Sequence, residues 1–229
     1  MSKVEMLITC AKAFTPISVK ADVSNVAKYA RDSGFTVRSV LVNDLSLSTD
    51  VATSVFYNKK EYRAHFISLM KDSTADFLIL YYSGHGAAQI VDLASAATKE
   101  CLVLSDNTSQ WYYDDEITED IDAYLPANKT LYLVVDACHA GGMINLWQLD
   151  RRLNANVVLF AGSNTEIYSW DDANQPGGAF TNAFTASATV GKTLYKIAEE
   201  VLEQLFQSGK ISPAVRYGRP ALCVAQYCQ

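Results

Sequence analysis

Long apolar runs, basic charge and patterned cysteines are all scarce in this chain. Residues 1–10 hold one short apolar stretch broken by Glu5, too little for the apolar core of a secretory signal or for a bilayer span. Lys and Arg number 19 against 25 Asp and Glu, a net charge of −6. Nucleic-acid binding rests on clustered cations that neutralise phosphates, so neither nucleic acid nor membrane is expected as a partner. A positively charged peptide remains an admissible substrate. The five cysteines, Cys10, Cys101, Cys138, Cys223 and Cys228, are odd in number and show no Cys-x-x-Cys spacing. That argues against a disulfide framework and a zinc site, and favours a reducing, cytoplasmic compartment. No Pro/Ser/Gly-rich linker interrupts the 229 residues, which therefore read as one domain.

With 49% hydrophobic and 19% charged residues, the chain has the means to bury a large core. Residues 4–10 read as a first strand. In 22–34, Val23, Val26, Ala27 and Ala30 keep the i, i+3, i+4, i+7 spacing of an amphipathic helix that Gly34 stops. Residues 35–42 read as a second strand, and Asn58-Lys59-Lys60-Glu61 as the capping box of a helix carrying Tyr62, Phe66, Leu69 and Met70. The small, polar stretch 87–98 reads as a mobile surface loop, and 101–104 with 111–113 as a small β excursion. A helix is expected over 115–125, before Pro126, and a buried strand over 156–161. Helices over 178–188 and from Leu194 to Gly209 follow, then a last strand over 220–224. Strands alternating with helices predict a three-layer α/β fold with a mainly parallel central sheet and helices on both faces.

Two apolar runs end in reactive residues. Phe77-Leu78-Ile79-Leu80-Tyr81-Tyr82 leads into Ser83-Gly84-His85-Gly86, and Leu131-Tyr132-Leu133-Val134-Val135 into Asp136-Ala137-Cys138-His139-Ala140-Gly141. Both suit interior strands of a parallel sheet, whose carboxyl ends collect ligands and reactants. If the strands are neighbours, an imidazole and a thiol share one cleft, as a cysteine nucleophile and its general base require. The thiolate is the attacking species and an unperturbed thiol ionises near pH ~8.5, so such a base has work to do. The N–H groups of Gly86 and Cys138 could form an oxyanion hole. The plain alternative is a core cysteine and a turn histidine. His139 is a competing base, but it follows the nucleophile immediately and would need an awkward backbone to reach back.

These two motifs, in this order and about 50 residues apart, closely resemble the His and Cys motifs of metacaspases, within the caspase-like cysteine peptidases. They differ from the Gln-Ala-Cys-x-Gly form of true caspases. The resemblance takes in nearly the whole chain, including Gly178-Ala179-Phe180-Thr181-Asn182-Ala183-Phe184. It implies a large-subunit-like part over 1–150 with the dyad and a small-subunit-like part over 151–229, and the 229 residues are expected to leave no room for a long prodomain. It also implies cleavage after Arg or Lys, with Asp136 and Asp22 as acidic pocket residues and Ser83 helping to line the pocket. Two carboxylates can accept a guanidinium's forked donors and would repel an Asp side chain. Asp22 reads equally well as a helix N-cap, and Ser83 as a turn serine.

The family's calcium cluster maps onto Asp114 and Asp115, but Lys99 and Asn145 stand where relatives carry Asp. An ammonium cannot ligate Ca²⁺ and could neutralise both aspartates, so no cofactor is expected to be required and calcium dependence to be weak or missing. The other reading of Asp114 and Asp115 is that they cap the following helix. Arg151-Arg152 is a candidate for self-cleavage or part of a solvated helix face. The expected assembly is a monomer or a weak dimer through a sheet edge. The rival to an active peptidase is a regulatory or binding module that keeps the dyad unused.

Overall fold

The apolar runs pair with one another in parallel, edge to edge, and set the frame of the molecule. In the computed structural model, residues 3–14, 19–48, 51–92, 97–145, 156–163, 176–207 and 221–225 are described. Strands β1 (Val4–Ala11), β2 (Thr36–Val42), β3 (Ser54–Val55), β4 (Phe77–Gly84), β8 (Thr130–Asp136), β9 (Asn156–Ala161) and β10 (Ala221–Ala225) form one sheet in the order β10-β9-β8-β4-β1-β2-β3. Every pairing is parallel except β9 with β10. The central strands β1, β4 and β8 are almost wholly buried, which is why they read as unbroken apolar runs rather than alternating ones.

Helices cover both faces and complete a three-layer α/β fold. Helix α1 (Val19–Asp32), α4 (Ala179–Ser187) and α5 (Leu194–Gln207) pack on one face around Val23, Val26, Ala27, Ile8, Tyr81 and Phe184. On the other, α2 (Lys59–Asp72) and α3 (Asp114–Tyr124) enclose Tyr62, Phe66, Leu69, Tyr112 and Ile121, none of them exposed to solvent. Burying Phe66, Leu69 and Ile121 contributes roughly 1.5–3 kcal/mol each relative to exposed side chains. The expected Asn58 cap is present: its side chain accepts from Glu61 N, while Glu61 reaches back to Tyr57 N. Among the described residues no helix is long and apolar enough to cross a membrane.

Two expectations need correction. Residues 87–98 are not a loop at their ends: β5 (Gly86–Asp92) and β6 (Ala97–Leu102) form an antiparallel ladder, extended by β7 (Tyr112–Tyr113) into a separate three-stranded sheet. Backbone pairing supplies there what the small side chains could not announce. Helix α1 begins at Val19, not Asp22, which puts Asp22 inside the first turn and removes it from the N-cap position. Arg151, Arg152 and Gly209 lie outside the described residues.

Candidate active site

The β4–β8 register sets Ser83 opposite Asp136, so His85 and Cys138, each two residues further on, leave the sheet at the same edge. Both side chains are half-buried. The Tyr82 hydroxyl sits 3.0 Å from both His85 O and Val103 O and fixes the backbone under the imidazole. Gly86 cannot be replaced freely, because a Cβ there would stand 2.0 Å from Cys138 O. The histidine and cysteine turns thus touch backbone to backbone. On the far side of Cys138, the Ser163 hydroxyl donates to Ala137 O at 2.9 Å and accepts from Ala140 N at 3.1 Å. This buried serine, which sequence reasoning overlooked, ties β9 to the backbone before and after Cys138. His139 takes a left-handed backbone, φ 56°, as the chain enters a short 3₁₀ turn.

Behind His85 and Cys138 lie two carboxylates. Asp22, 1% exposed, accepts from the Ser83 hydroxyl at 2.5 Å and from Gly178 N at 2.8 Å. Asp136, 5% exposed, accepts at one oxygen from Thr181 N, 3.0 Å, and from the Thr181 hydroxyl, 2.6 Å. Since Thr181 gives its proton to Asp136, the Tyr81 hydroxyl 2.6 Å away must donate to Thr181. Burial, and then the charges of Asp22, Cys10 and Asp136, push the Tyr81 phenol well up, so it stays a neutral donor. The Cys10 thiol beneath is raised by burial and then by the same two carboxylates. Gly178 is the one residue that fits its place, since a Cβ would fall 2.1 Å from an Asp136 oxygen.

Ser83, Asp22 and Asp136 are therefore brought together, and the start of α4 closes on them. In the sequence, Gly178 and Thr181 stand out only as part of a motif. Their partners lie 156 and 45 residues away in the chain, beyond anything spacing can report.

Asp114 and Asp115 occupy the first turn of α3, whose N-cap is Tyr113. The Lys99 ammonium hydrogen-bonds the Asp115 carboxylate. Burial alone would raise Asp115, but the Lys99 ammonium together with backbone N–H donors of the first turn holds the carboxyl below its ordinary range. One Asp114 oxygen is buried without a hydrogen-bond partner, and burial, with the charges of Glu100 and Asp115, pushes this carboxyl up to about 6. Asn145 N donates to the Thr118 hydroxyl at 2.9 Å. Among the described residues no group of three or more His, Cys, Asp or Glu is set to hold a metal. Ca²⁺ asks for about six to eight oxygens; here the Lys99 ammonium, which cannot ligate it, sits on Asp115.

With this geometry in view, the likeness to known proteins is informative. A family model described as the caspase domain matches residues 7–219. Metacaspase-2 of Arabidopsis thaliana is 29% identical over 134 residues, covering 48% of this chain and 32% of that protein. Metacaspase-1 of the same plant is 30% identical over 124 residues, covering 52% and 31%. The chain thus spans about a third of the length of these curated relatives. The crystal structure of drICE has the same fold, with a TM-score of 0.53 at 14% identity over 98% of this chain and 87% of that one.

Proposed function

The chain belongs to the caspase-domain family of cysteine peptidases, and from that premise we propose that it is an endopeptidase cleaving after Arg or Lys. One observation supports the specificity: two buried carboxylates, Asp136 at the end of the strand that presents Cys138 and Asp22 hydrogen-bonded to Ser83 opposite it, lie together at that edge. A guanidinium or ammonium can meet both, whereas an acidic side chain would bring a third negative charge into a site of low dielectric.

In the reaction, the basic side chain seats against Asp22, Asp136 and Ser83, and the Cys138 sulfur attacks the next carbonyl carbon. His85 takes the thiol proton as the C–S bond forms. The Gly86 and Cys138 N–H groups receive the oxyanion. His85 then returns that proton to the leaving amine as the C–N bond breaks, and water, deprotonated by the same imidazole, releases the acyl group from sulfur. Self-cleavage after Arg151 or Arg152 belongs to the same reading and rests on the sequence alone. So do a cytoplasmic setting, a monomeric or weakly dimeric chain, and the division near residue 150.

The peptidase is proposed to work with weak or no calcium dependence. The Lys99–Asp115 ion pair supports this, since it supplies the positive charge from the chain itself. Matched fluorogenic peptides ending in Arg, Lys or Asp, assayed in excess chelator and again with Ca²⁺, test both parts. Cleavage of the first two, unchanged by chelation, is expected. Preference for Asp would overturn the pocket, and activity lost to chelator and restored by Ca²⁺ would overturn the calcium statement. The alternative, a binding module with an idle dyad, predicts no cleavage in either buffer.

A further inference from the structure

Phe14 is built unlike its surroundings. It is 60% exposed and takes a left-handed backbone, φ 53°, which bulky residues seldom adopt. Its N–H is held by the Asp106 carboxylate, 92 residues away in the chain. The segment before it is clamped as well: Lys12 N donates to the Asn43 side chain at 2.8 Å, and that amide donates to Lys12 O at 2.6 Å and Leu104 O at 2.9 Å. Ala13 is buried beside Cys101 and Val103. The anchored backbone holds an aromatic ring out in solvent, and backbone strain of this kind clusters at functional sites.

The exposed ring faces the chemistry. Phe14 meets the His85 imidazole edge to face, with centroids 6.5 Å apart, and Trp111 at 6.4 Å and 87°. Trp111 is fixed in turn by its indole N–H on Ser105 O at 3.1 Å. Asp22 on α1 and Asp136 at the end of β8 both bond the start of α4, while Trp111 packs against Cys101 and Val103 beside the three-stranded sheet. A general acid must reach the amine it protonates, so the leaving half of the peptide departs past the imidazole.

We propose that Phe14 and Trp111 form the subsite for an apolar side chain on the residue that follows the scissile bond. The proposal rests on the peptidase reading above and names a second contact for the same substrate. A Leu or Phe side chain there covers the exposed ring beside the imidazole, whereas Gly leaves it wet.

The test separates the two readings by using the Cys138→Ala protein, which binds without turnover, and four peptides measured by calorimetry. They carry Arg or Asp before the bond and Leu or Gly after it. The Arg/Asp contrast reads the acidic pocket, and the Leu/Gly contrast reads Phe14. Leu is expected to bind roughly five- to tenfold more tightly than Gly. That preference should fall to about twofold or less when Phe14→Ala is added, and survive Phe14→Tyr. A Leu preference that depends on Phe14 supports the subsite whichever residue precedes the bond. Equal affinity for Leu and Gly, an undiminished preference in Phe14→Ala, or no binding of any of the four overturns it.

Discussion

Cys138→Ala is expected to reduce hydrolysis of an Arg-ended peptide on the order of ten-thousandfold or more, and His85→Ala on the order of a hundredfold to ten-thousandfold. Removing the sulfur leaves no atom to take the acyl group, whereas without the imidazole a small thiolate fraction can still attack. If the two act as one nucleophile–base unit, as proposed, the double variant should be no slower than Cys138→Ala by more than a few-fold. Both side chains are only half-buried at the sheet edge, so unfolding midpoints in urea should move little. Steady-state rates and urea titrations on the three variants check this. A Cys138→Ala protein that retained a tenth of native activity would place the nucleophile elsewhere.

Asp136→Asn is expected to lower kcat/KM for Arg-ended peptides by about a hundredfold to a thousandfold, through loss of a buried charge partner for the substrate cation. The fold should tolerate it, because an amide oxygen can still accept from the Thr181 N–H and hydroxyl that now converge on one carboxylate oxygen. Asp136→Ala is different. It strands those donors in a buried site and should also cost about 1–3 kcal/mol of stability. Measuring urea stability and kcat/KM together separates the two effects. An Asn variant as active as the native protein on Arg peptides, with normal stability, would remove Asp136 from the specificity pocket.

The strands and helices were legible because the buried strands are unbroken apolar runs and the helices carry regular stripes. The 156–161 strand matches β9 residue for residue. The hairpin over Gly86–Leu102 was not legible, since Ala87, Ala88, Ala97 and Thr98 carry no alternating pattern and are held by backbone pairing. At the site, His85, Cys138, Ser83 and Asp136 could be found because each closes a recognisable run. Asp22 sat equally well as a cap until the structure gave its carboxylate to Ser83 and Gly178, contacts 61 and 156 residues away. Thr181, Tyr81, Ser163 and Phe14 carry no local signal, because each acts through a partner that only the folded sheet brings near.

Covalent trapping tests the central claim most directly. A thiol-reactive electrophile carried on an Arg-ended peptide, incubated with the native chain in chelator and located by mass spectrometry, is predicted to modify Cys138 while Cys10 and Cys101, buried thiols, stay free. The same electrophile on an Asp-ended peptide should leave Cys138 unmodified at matched concentration. Equal labelling by both peptides, or no labelling of Cys138 by either, would contradict an Arg/Lys-directed cysteine peptidase.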